Sequence, residues 1–251
     1  MTIPIYQVDA FTDQLFGGNP AAVCPLDEWL PEETMQQIGM ENNLSETAFF
    51  IEKDGKYEIR WFTPAVEVAL CGHATLATAH VIFNHLNFEG NQIELSSKSG
   101  PLFVRKNGDL LTLDFPEAEM EEIEISEAII AGLGRKPTQL IKSFDHMAVF
   151  ETEKEIRGLL PDFAKLAALK EVRGIIATAP GENSDFVSRF FAPQSGVNED
   201  PVTGSAHTIL APFWGKHLNK TEMTAVQLSQ RVGHLRCKLN GNRVEISGNA
   251  I

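Results

Sequence analysis

Cysteine is scarce in this chain, which has three in 251 residues: Cys24, Cys71 and Cys237. So few and such widely spaced cysteines exclude a disulfide framework and a structural zinc site. Cys24 and Cys237 stand in apolar or alternating runs, which is typical of small buried side chains. Cys71 differs because a glycine and a histidine follow it directly, so it is a candidate reactive thiol.

Basic residues and long apolar stretches are also lacking. The chain has 21 Lys and Arg against 34 Asp and Glu, a formal net charge of -13. Nucleic acids and anionic membranes require a basic surface, so neither is expected as a partner. No apolar run approaches the roughly 18 residues of a membrane span, and the first residues do not resemble a secretion signal. We therefore expect a cytoplasmic protein.

An internal repeat divides the chain into two related halves. At an offset of 129 residues, Arg60 falls on Arg189 and Cys71 falls on Asp200. After a short insertion, Gly72 falls on Gly204. A chain of this length commonly forms two domains, and the repeat predicts units 1–116 and 117–251 with an active-site cleft between them.

Each half contains one unusually apolar helix, predicted at 71–83 and 205–214. Pro212 is expected to shorten or kink the second. A helix that is apolar all round must be covered on all sides, and a curved sheet can do this. The predicted fold is α+β, with two pseudo-symmetric repeats that each wrap a curved, mostly antiparallel sheet around a central buried helix.

The remaining elements are shorter. An Asp54–Gly55 hairpin turn is expected, and the acidic segment 117–124 is predicted to be the boundary between halves. Other helices are predicted at 31–43, 126–133 and 154–169, the last of them interrupted at Pro161. Strands are predicted at 3–10, 21–24, 47–51, 57–62, 93–95, 102–104, 110–115, 146–150, 174–179 and 186–191. At an offset of 133, segments 228–229 and 233–241 match 95–96 and 100–108, so closing strands are expected there too.

Glycines at repeat-related positions suggest an anion site. Gly72 and Gly204 each stand at the predicted start of an apolar helix, where unpaired backbone N–H groups and the helix dipole favour a carboxylate. The Gly17–Pro20 loop, which contains Asn19, either lets the backbone approach a ligand or forms a plain tight turn.

Several polar residues near these glycines are candidates for chemistry. Glu46 precedes a very apolar strand, and apolar surroundings would raise the pKa of its carboxyl into the range of a general acid/base, although a solvated loop glutamate would look the same. Asp200 either caps a helix or contacts substrate. His73 is a candidate hydrogen-bond donor or proton relay. No metal is expected, because the sequence places no carboxylate beside Cys71 and His73.

In order along the chain, these segments resemble the phenazine-biosynthesis isomerase-like (PhzF-like) family, relatives of diaminopimelate epimerase and proline racemase. The resemblance covers most of the chain. The matching motifs are Asp9-Ala10-Phe11, Gly18-Asn19-Pro20-Ala21-Ala22-Val23, Asn43-Leu44-Ser45-Glu46-Thr47-Ala48-Phe49, Arg60-Trp61-Phe62-Thr63-Pro64, Cys71-Gly72-His73-Ala74-Thr75 and Glu199-Asp200-Pro201-Val202-Thr203-Gly204-Ser205-Ala206-His207.

The resemblance implies an isomerase that transfers a proton without a cofactor. Its substrate would be a small anionic metabolite; the family's type enzyme isomerises a dihydro-hydroxyanthranilate. The family's catalytic glutamate corresponds to Glu46, and its active-site histidine, aspartate and serine to His73, Asp200 and Ser205. Asn19, Gly72 and Gly204 would complete the substrate-binding residues, and a homodimer is expected.

Two alternatives remain open at this stage. The epimerase relatives use two facing cysteines, whereas here the corresponding pair is Cys71 and Asp200, which favours one glutamate over two thiols. An amino-acid epimerase or racemase using Cys71 and Asp200 is the first alternative. A non-catalytic member that binds a metabolite is the second.

Overall fold

The computed structural model describes residues 2–53 and 55–251. Asp54, half of the expected hairpin turn, lies outside them. The described chain forms two compact units, the first extending to Asp114 and including Ser247–Ile251, and the second comprising Phe115–Ile246. The sequence-based boundary at 116 differs by two residues. It also assigns the C-terminus to the second unit, whereas Ile251 and Asp9 exchange two backbone hydrogen bonds within the first.

The first unit is a mixed sheet with two long helices. Five of its strand pairs are antiparallel and two, β2–β3 and β4–β6, are parallel. Its elements are β1 (Tyr6–Ala10), β2 (Asn19–Leu26), α1 (Glu32–Asn42), β3 (Glu46–Lys53), β4 (Lys56–Phe62), β5 (Glu67–Val68), α2 (Gly72–His85), β6 (Gln92–Ser97), β7 (Gly100–Asn107) and β8 (Leu110–Pro116).

The second unit repeats this order of pairing. Strands β11 and β12, and β13 and β15, are its parallel pairs, in the positions that β2–β3 and β4–β6 hold in the first unit. Its elements are β9 (Glu121–Ile123), α3 (Glu127–Leu133), β10 (Gln139–Lys142), β11 (His146–Val149), α4 (Glu153–Arg157), α5 (Phe163–Ala167), β12 (Ile175–Pro180), β13 (Phe186–Ala192), β14 (Val197–Asp200), α6 (His207–Leu218), β15 (Glu222–Gln227), β16 (Gly233–Asn240) and β17 (Arg243–Gly248).

The repeat also appears in matching ion pairs. Arg60 on β4 donates from Nε and Nη2 to both carboxylate oxygens of Glu67, each at 2.7 Å. Arg189 on β13 binds Glu199 in the same two-pronged manner at 2.7 and 2.8 Å. Each pair fastens the segment that leads toward the buried helix of its own unit, and such bidentate pairs have a fixed geometry.

The two apolar helices are buried as predicted. In α2, which contains no Asp, Glu, Lys or Arg, ten of fourteen residues are buried, and in α6 nine of twelve. Pro212 does not shorten α6, which continues to Leu218. A proline at 212 cannot donate to the carbonyl of Thr208, and this oxygen instead accepts from the backbone N–H of Ala118 at 3.3 Å.

Three other expectations need correction. The acidic segment 117–124 is not merely a boundary, because β9 within it pairs with β10. The helical segment 154–169 is interrupted around Pro161 as predicted, but the break is wider than expected. It leaves two five-residue helices, each started by a side-chain cap, Thr152 in one and Asp162 in the other. Strands β5, β10 and β14 were not predicted, since two to four residues carry too little periodicity to detect. The six-residue strands β15 and β17 were also missed.

Gly18 supports the tight-turn reading of the Gly17–Pro20 loop. Its φ is +57°, and a Cβ on it would lie 2.1 Å from the carbonyl oxygen of Ala10. The close approach is therefore to the chain's own β1 strand. Asn19 and Pro20 already belong to β2.

We predict that Gly18→Ala destabilises the protein by about 3 kcal/mol or more, because the methyl group meets backbone as well as an unfavourable φ. Gly108→Ala is the matched control: its φ is +60°, but apart from the residue itself and its two chain neighbours, no atom of the described residues lies within 4 Å of the added Cβ. It should cost only about 1 kcal/mol. Urea unfolding measures both, and equal losses would refute the steric explanation.

Candidate active site

Glu46 and His73 meet in the first unit. Glu46 is the first residue of β3 and His73 the second residue of α2. Oε2 of Glu46 lies 3.2 Å from Nε2 of His73. The Glu46 side chain is 17% exposed and the His73 side chain 5% exposed. A carboxylate thus stands at the edge of solvent with an imidazole buried behind it.

The imidazole of His73 is neutral at physiological pH. Desolvation by burial lowers the pKa of His73 from 6.5 to about 3. The contact with Glu46 is therefore between a carboxyl group and a neutral ring rather than a true ion pair. A neutral imidazole carries one N–H and one lone pair, so its tautomer decides what it offers to Glu46.

Asn19 selects that tautomer. Its side chain is fully buried, and Nδ2 lies 3.2 Å from Nδ1 of His73. With the amide nitrogen assigned to this contact, Asn19 donates, Nδ1 accepts and the proton sits on Nε2, the nitrogen beside Glu46. The family resemblance implied that Asn19 binds substrate. In the structure the amide of Asn19 contacts the ring of His73.

Cys71 is the third side chain at this place. Its Sγ lies 3.5 Å from Nδ1 of His73, and the residue is buried. It precedes α2 without capping the helix through its side chain. Burial raises the pKa of both Cys24 and Cys237 to about 12, so these two thiols are poor nucleophiles.

Gly72 and Gly204 were both predicted to begin a buried helix, but only one of them does so in the structure. Gly72 is the first residue of α2, as expected. Gly204 is not the start of α6, which begins three residues later at His207. A tight turn connects Gly204 to the start of α6. In it, the backbone N–H of His207 donates to the carbonyl of Gly204, and the N–H of Thr208 donates to the carbonyl of Ser205, each three residues earlier.

Asp200 is held by its own loop. Its Oδ2 accepts from the Thr203 hydroxyl at 2.5 Å, and Gln227 bonds to its backbone carbonyl at 2.8 Å. Gln227 also accepts from the backbone N–H of Thr203 at 2.9 Å. Ala206, not Asp200, is the residue before α6. Asp200 therefore does not cap this helix, and its side chain orders the turn instead.

Arg173 is a residue that the sequence reasoning missed. Its Nη2 donates to the Ser205 hydroxyl at 3.0 Å, and its guanidinium also grips both carboxylate oxygens of Asp145. Asp145 is fully buried, whereas the Arg173 side chain is 48% exposed. One feature of the sequence could have pointed to Arg173, which stands just before the apolar strand 174–179. At the repeat offset it corresponds to Leu44, two residues before Glu46, and so to the same region of the other unit.

We predict that Arg173→Met destabilises the protein by about 3 kcal/mol, because Asp145 would remain buried without its partner. The double variant Arg173→Met with Asp145→Leu should recover most of that loss. Chemical denaturation of both variants tests this. A double variant no more stable than the single one would show that the ion pair is not the cause.

A second prediction concerns His207, which is fully buried and bonds through Nδ1 to the carbonyl of Thr203 at 2.9 Å. Burial lowers the pKa of His207 from 6.5 to about 4. Between these values the unfolded chain binds a proton that the folded protein does not. Stability is therefore full above pH 6.5 and falls by about 3 kcal/mol as the pH drops to about 4.

His207→Gln should flatten this part of the stability–pH profile relative to wild type, whereas substituting the exposed His234 should leave it unchanged. Urea unfolding at several pH values between 7 and 4 measures the difference. Parallel profiles for wild type and His207→Gln would contradict the assignment.

Within the described part of the chain, no helix has the length and apolar character needed to cross a membrane. Two repeats of one strand order, each with a buried helix, define the diaminopimelate epimerase-like fold, and a solved hydroxyproline epimerase from Agrobacterium vitis shares it. That structure has a TM-score of 0.64 at 10% identity, covering 99% of this chain and 90% of the other.

The chain belongs to the phenazine biosynthesis-like protein (PhzF) family, whose model matches residues 8–251. A Pseudomonas aeruginosa relative named an uncharacterized isomerase is 51% identical, with 100% of this chain and 96% of the relative covered. The crystal structure of a PhzF-family protein from Enterococcus faecalis has a TM-score of 0.98 at 48% identity, with 100% and 96% covered. The family and fold support an isomerase or epimerase.

Proposed function

We propose that this protein is a cofactor-independent isomerase that moves a proton within a small, carboxylate-bearing metabolite. Glu46 would be its general acid/base. The observation that carries this proposal is the 3.2 Å approach of Glu46 Oε2 to Nε2 of a buried, neutral His73. A carboxyl group held at the edge of solvent against a fixed imidazole is well placed to take up a proton and return it.

The proposed reaction conserves protons. The Glu46 carboxylate removes a proton from one carbon of the substrate, and the resulting carboxylic acid delivers it to another. His73 presents its Nε2 proton to the Glu46 carboxylate and so orients the carboxyl group between the two steps. Asn19 acts as a positioning residue, because it fixes the tautomer of His73 from the opposite side of the ring.

The start of α2 supplies a place for the substrate carboxylate. Gly72 is the first residue of the helix, and no side chain of the preceding Cys71 caps it. Helix N-termini of this kind bind carboxylates through backbone N–H groups. The involvement of Asp200, Gly204 and Ser205 in the same reaction, and the homodimer, stay predictions of the sequence.

The central experiment is solvent-deuterium exchange into a panel of small carboxylates, including dihydro-hydroxyanthranilate, read by mass spectrometry. Wild type should incorporate deuterium into at least one compound. Glu46→Gln should lower that rate by about 10²–10⁴-fold, because the amide cannot take up the proton. Glu94→Gln, an exposed change on β6 of the same unit, is the control and should match wild type.

Cys71→Ala separates the proposal from an epimerase that uses this thiol. The 3.5 Å contact of Cys71 Sγ with His73 Nδ1 is the observation in favour of that alternative. Exchange that survives Cys71→Ala and is lost in Glu46→Gln supports the glutamate. Exchange that is lost in Cys71→Ala and survives in Glu46→Gln would overturn the role of Glu46. Binding of a carboxylate without any exchange would favour a non-catalytic member.

A further inference from the structure

Part of the Arg173 guanidinium is not used by the protein itself. Its Nε donates to Asp145, and its Nη2 donates to Asp145 and, at 3.0 Å, to the Ser205 hydroxyl. Nη1 donates to none of the described residues, so its two N–H groups remain for another acceptor. The Arg173 side chain is half exposed although its partner Asp145 is fully buried.

The Ser205 hydroxyl is a second donor beside this cation. It accepts from Arg173, and its own O–H donates to none of the described residues. A hydroxyl that accepts a hydrogen bond from a charged group becomes a better donor itself. Ser205 is only partly buried, so an N–H and an O–H that both lack an acceptor lie next to each other.

We propose that Arg173 is a carboxylate-binding residue, with Nη1 of its guanidinium and the Ser205 hydroxyl donating to one ligand carboxylate. Hydrogen bonds between a guanidinium and a carboxylate are charge-assisted and stronger than neutral ones. The inference deepens the proposed function by giving the second unit a part in binding, and it rests on that function only for the class of ligand.

The guanidinium is held in place before any ligand binds. Asp145 fixes one edge, and the rings of Phe144 and Phe190 lie 5.2 and 5.6 Å from the guanidinium carbon. The main chain is fastened as well, because the Ser195 hydroxyl donates to the carbonyl of Arg173 at 3.1 Å. A donor that is already ordered loses little conformational entropy when it binds.

One guanidinium can serve two carboxylates, as Arg60 of the first unit shows. It binds Glu67 through Nε and Nη2, the same edge that Arg173 uses for Asp145, and its Nη2 also donates to Glu32 at 2.7 Å. Among the described residues, Asp145 is the only carboxylate bonded to Arg173. A ligand can therefore supply the second carboxylate that Glu32 supplies to Arg60.

The surroundings favour a carboxylate attached to an apolar body. Phe144, whose ring lies beside the guanidinium, is 48% exposed and offers an apolar surface next to the donors. The chain's net charge of -13 gives no general attraction to anions, so affinity must come from these local contacts. Benzoate is therefore a suitable probe, and benzamide is its neutral counterpart of the same shape.

The test follows the side-chain Nε–H signal of Arg173 by nuclear magnetic resonance while benzoate is added to isotope-labelled protein. The signal is identified by its absence from Arg173→Lys, which keeps a positive charge beside Asp145. We expect a saturable shift with benzoate and none with benzamide. Ser205→Ala should weaken the benzoate affinity about tenfold, because one hydrogen bond to a charged group is lost.

Arg135→Lys is the matched control, since Arg135 is 49% exposed and also binds a carboxylate, that of Glu155, at 3.0 Å. It should change the benzoate affinity at Arg173 less than about twofold. The proposal is overturned if benzoate gives no saturable shift, if benzamide shifts the signal equally, or if Ser205→Ala binds as tightly as wild type. The titration needs no turnover, so it can fail while deuterium exchange by Glu46 succeeds, and the reverse.

Discussion

A helix whose side chains are apolar on nearly every face is stable in water only if most of its circumference is covered, and this constraint determines the form of each unit. Leu76, Val81 and Ile82 of α2 are fully buried. Each such side chain contributes about 1.5–3 kcal/mol relative to an exposed position. A sheet must therefore surround the helix, and the order of parallel and antiparallel pairs that achieves this is the same in both units.

Covering the helix also buries the polar residues at its start. A buried histidine loses hydration, which lowers its pKa and favours the neutral form. His73 and His207 both follow this rule, and each has a local partner at Nδ1: Asn19 in one unit and the carbonyl of Thr203 in the other. The same scaffold thus produces an imidazole beside a partly exposed carboxyl group in one unit and a histidine bonded to the carbonyl of its own turn in the other.

The sequence predicted the features that depend on local pattern. Alternation and apolar runs located the principal strands and both buried helices, and the shared offset revealed the repeat. Prediction from the sequence failed where the interacting residues are distant along the chain. Asp145 lies 28 residues before Arg173, and Ser205 lies 32 residues after it. Neither spacing has a sequence signature. The start of α6 was misplaced because Gly204 suggested a helix start, whereas Gly204, Ser205 and Ala206 form a turn and the helix begins at His207.

The divergence between the repeats supports the proposal of one catalytic carboxyl group over a symmetric pair. At the shared offset Glu46 corresponds to Ile175, so the second unit has no equivalent base. Asp200, which corresponds to Cys71, accepts a hydrogen bond from Thr203 at 2.5 Å and orders its own turn. Instead, the second unit presents Arg173 to Ser205, the residue that corresponds to His73. The two copies of this arrangement thus differ, with the acidic Glu46 beside His73 in one and the basic Arg173 beside Ser205 in the other. This difference suits a reaction with a single proton carrier better than one with two equivalent bases.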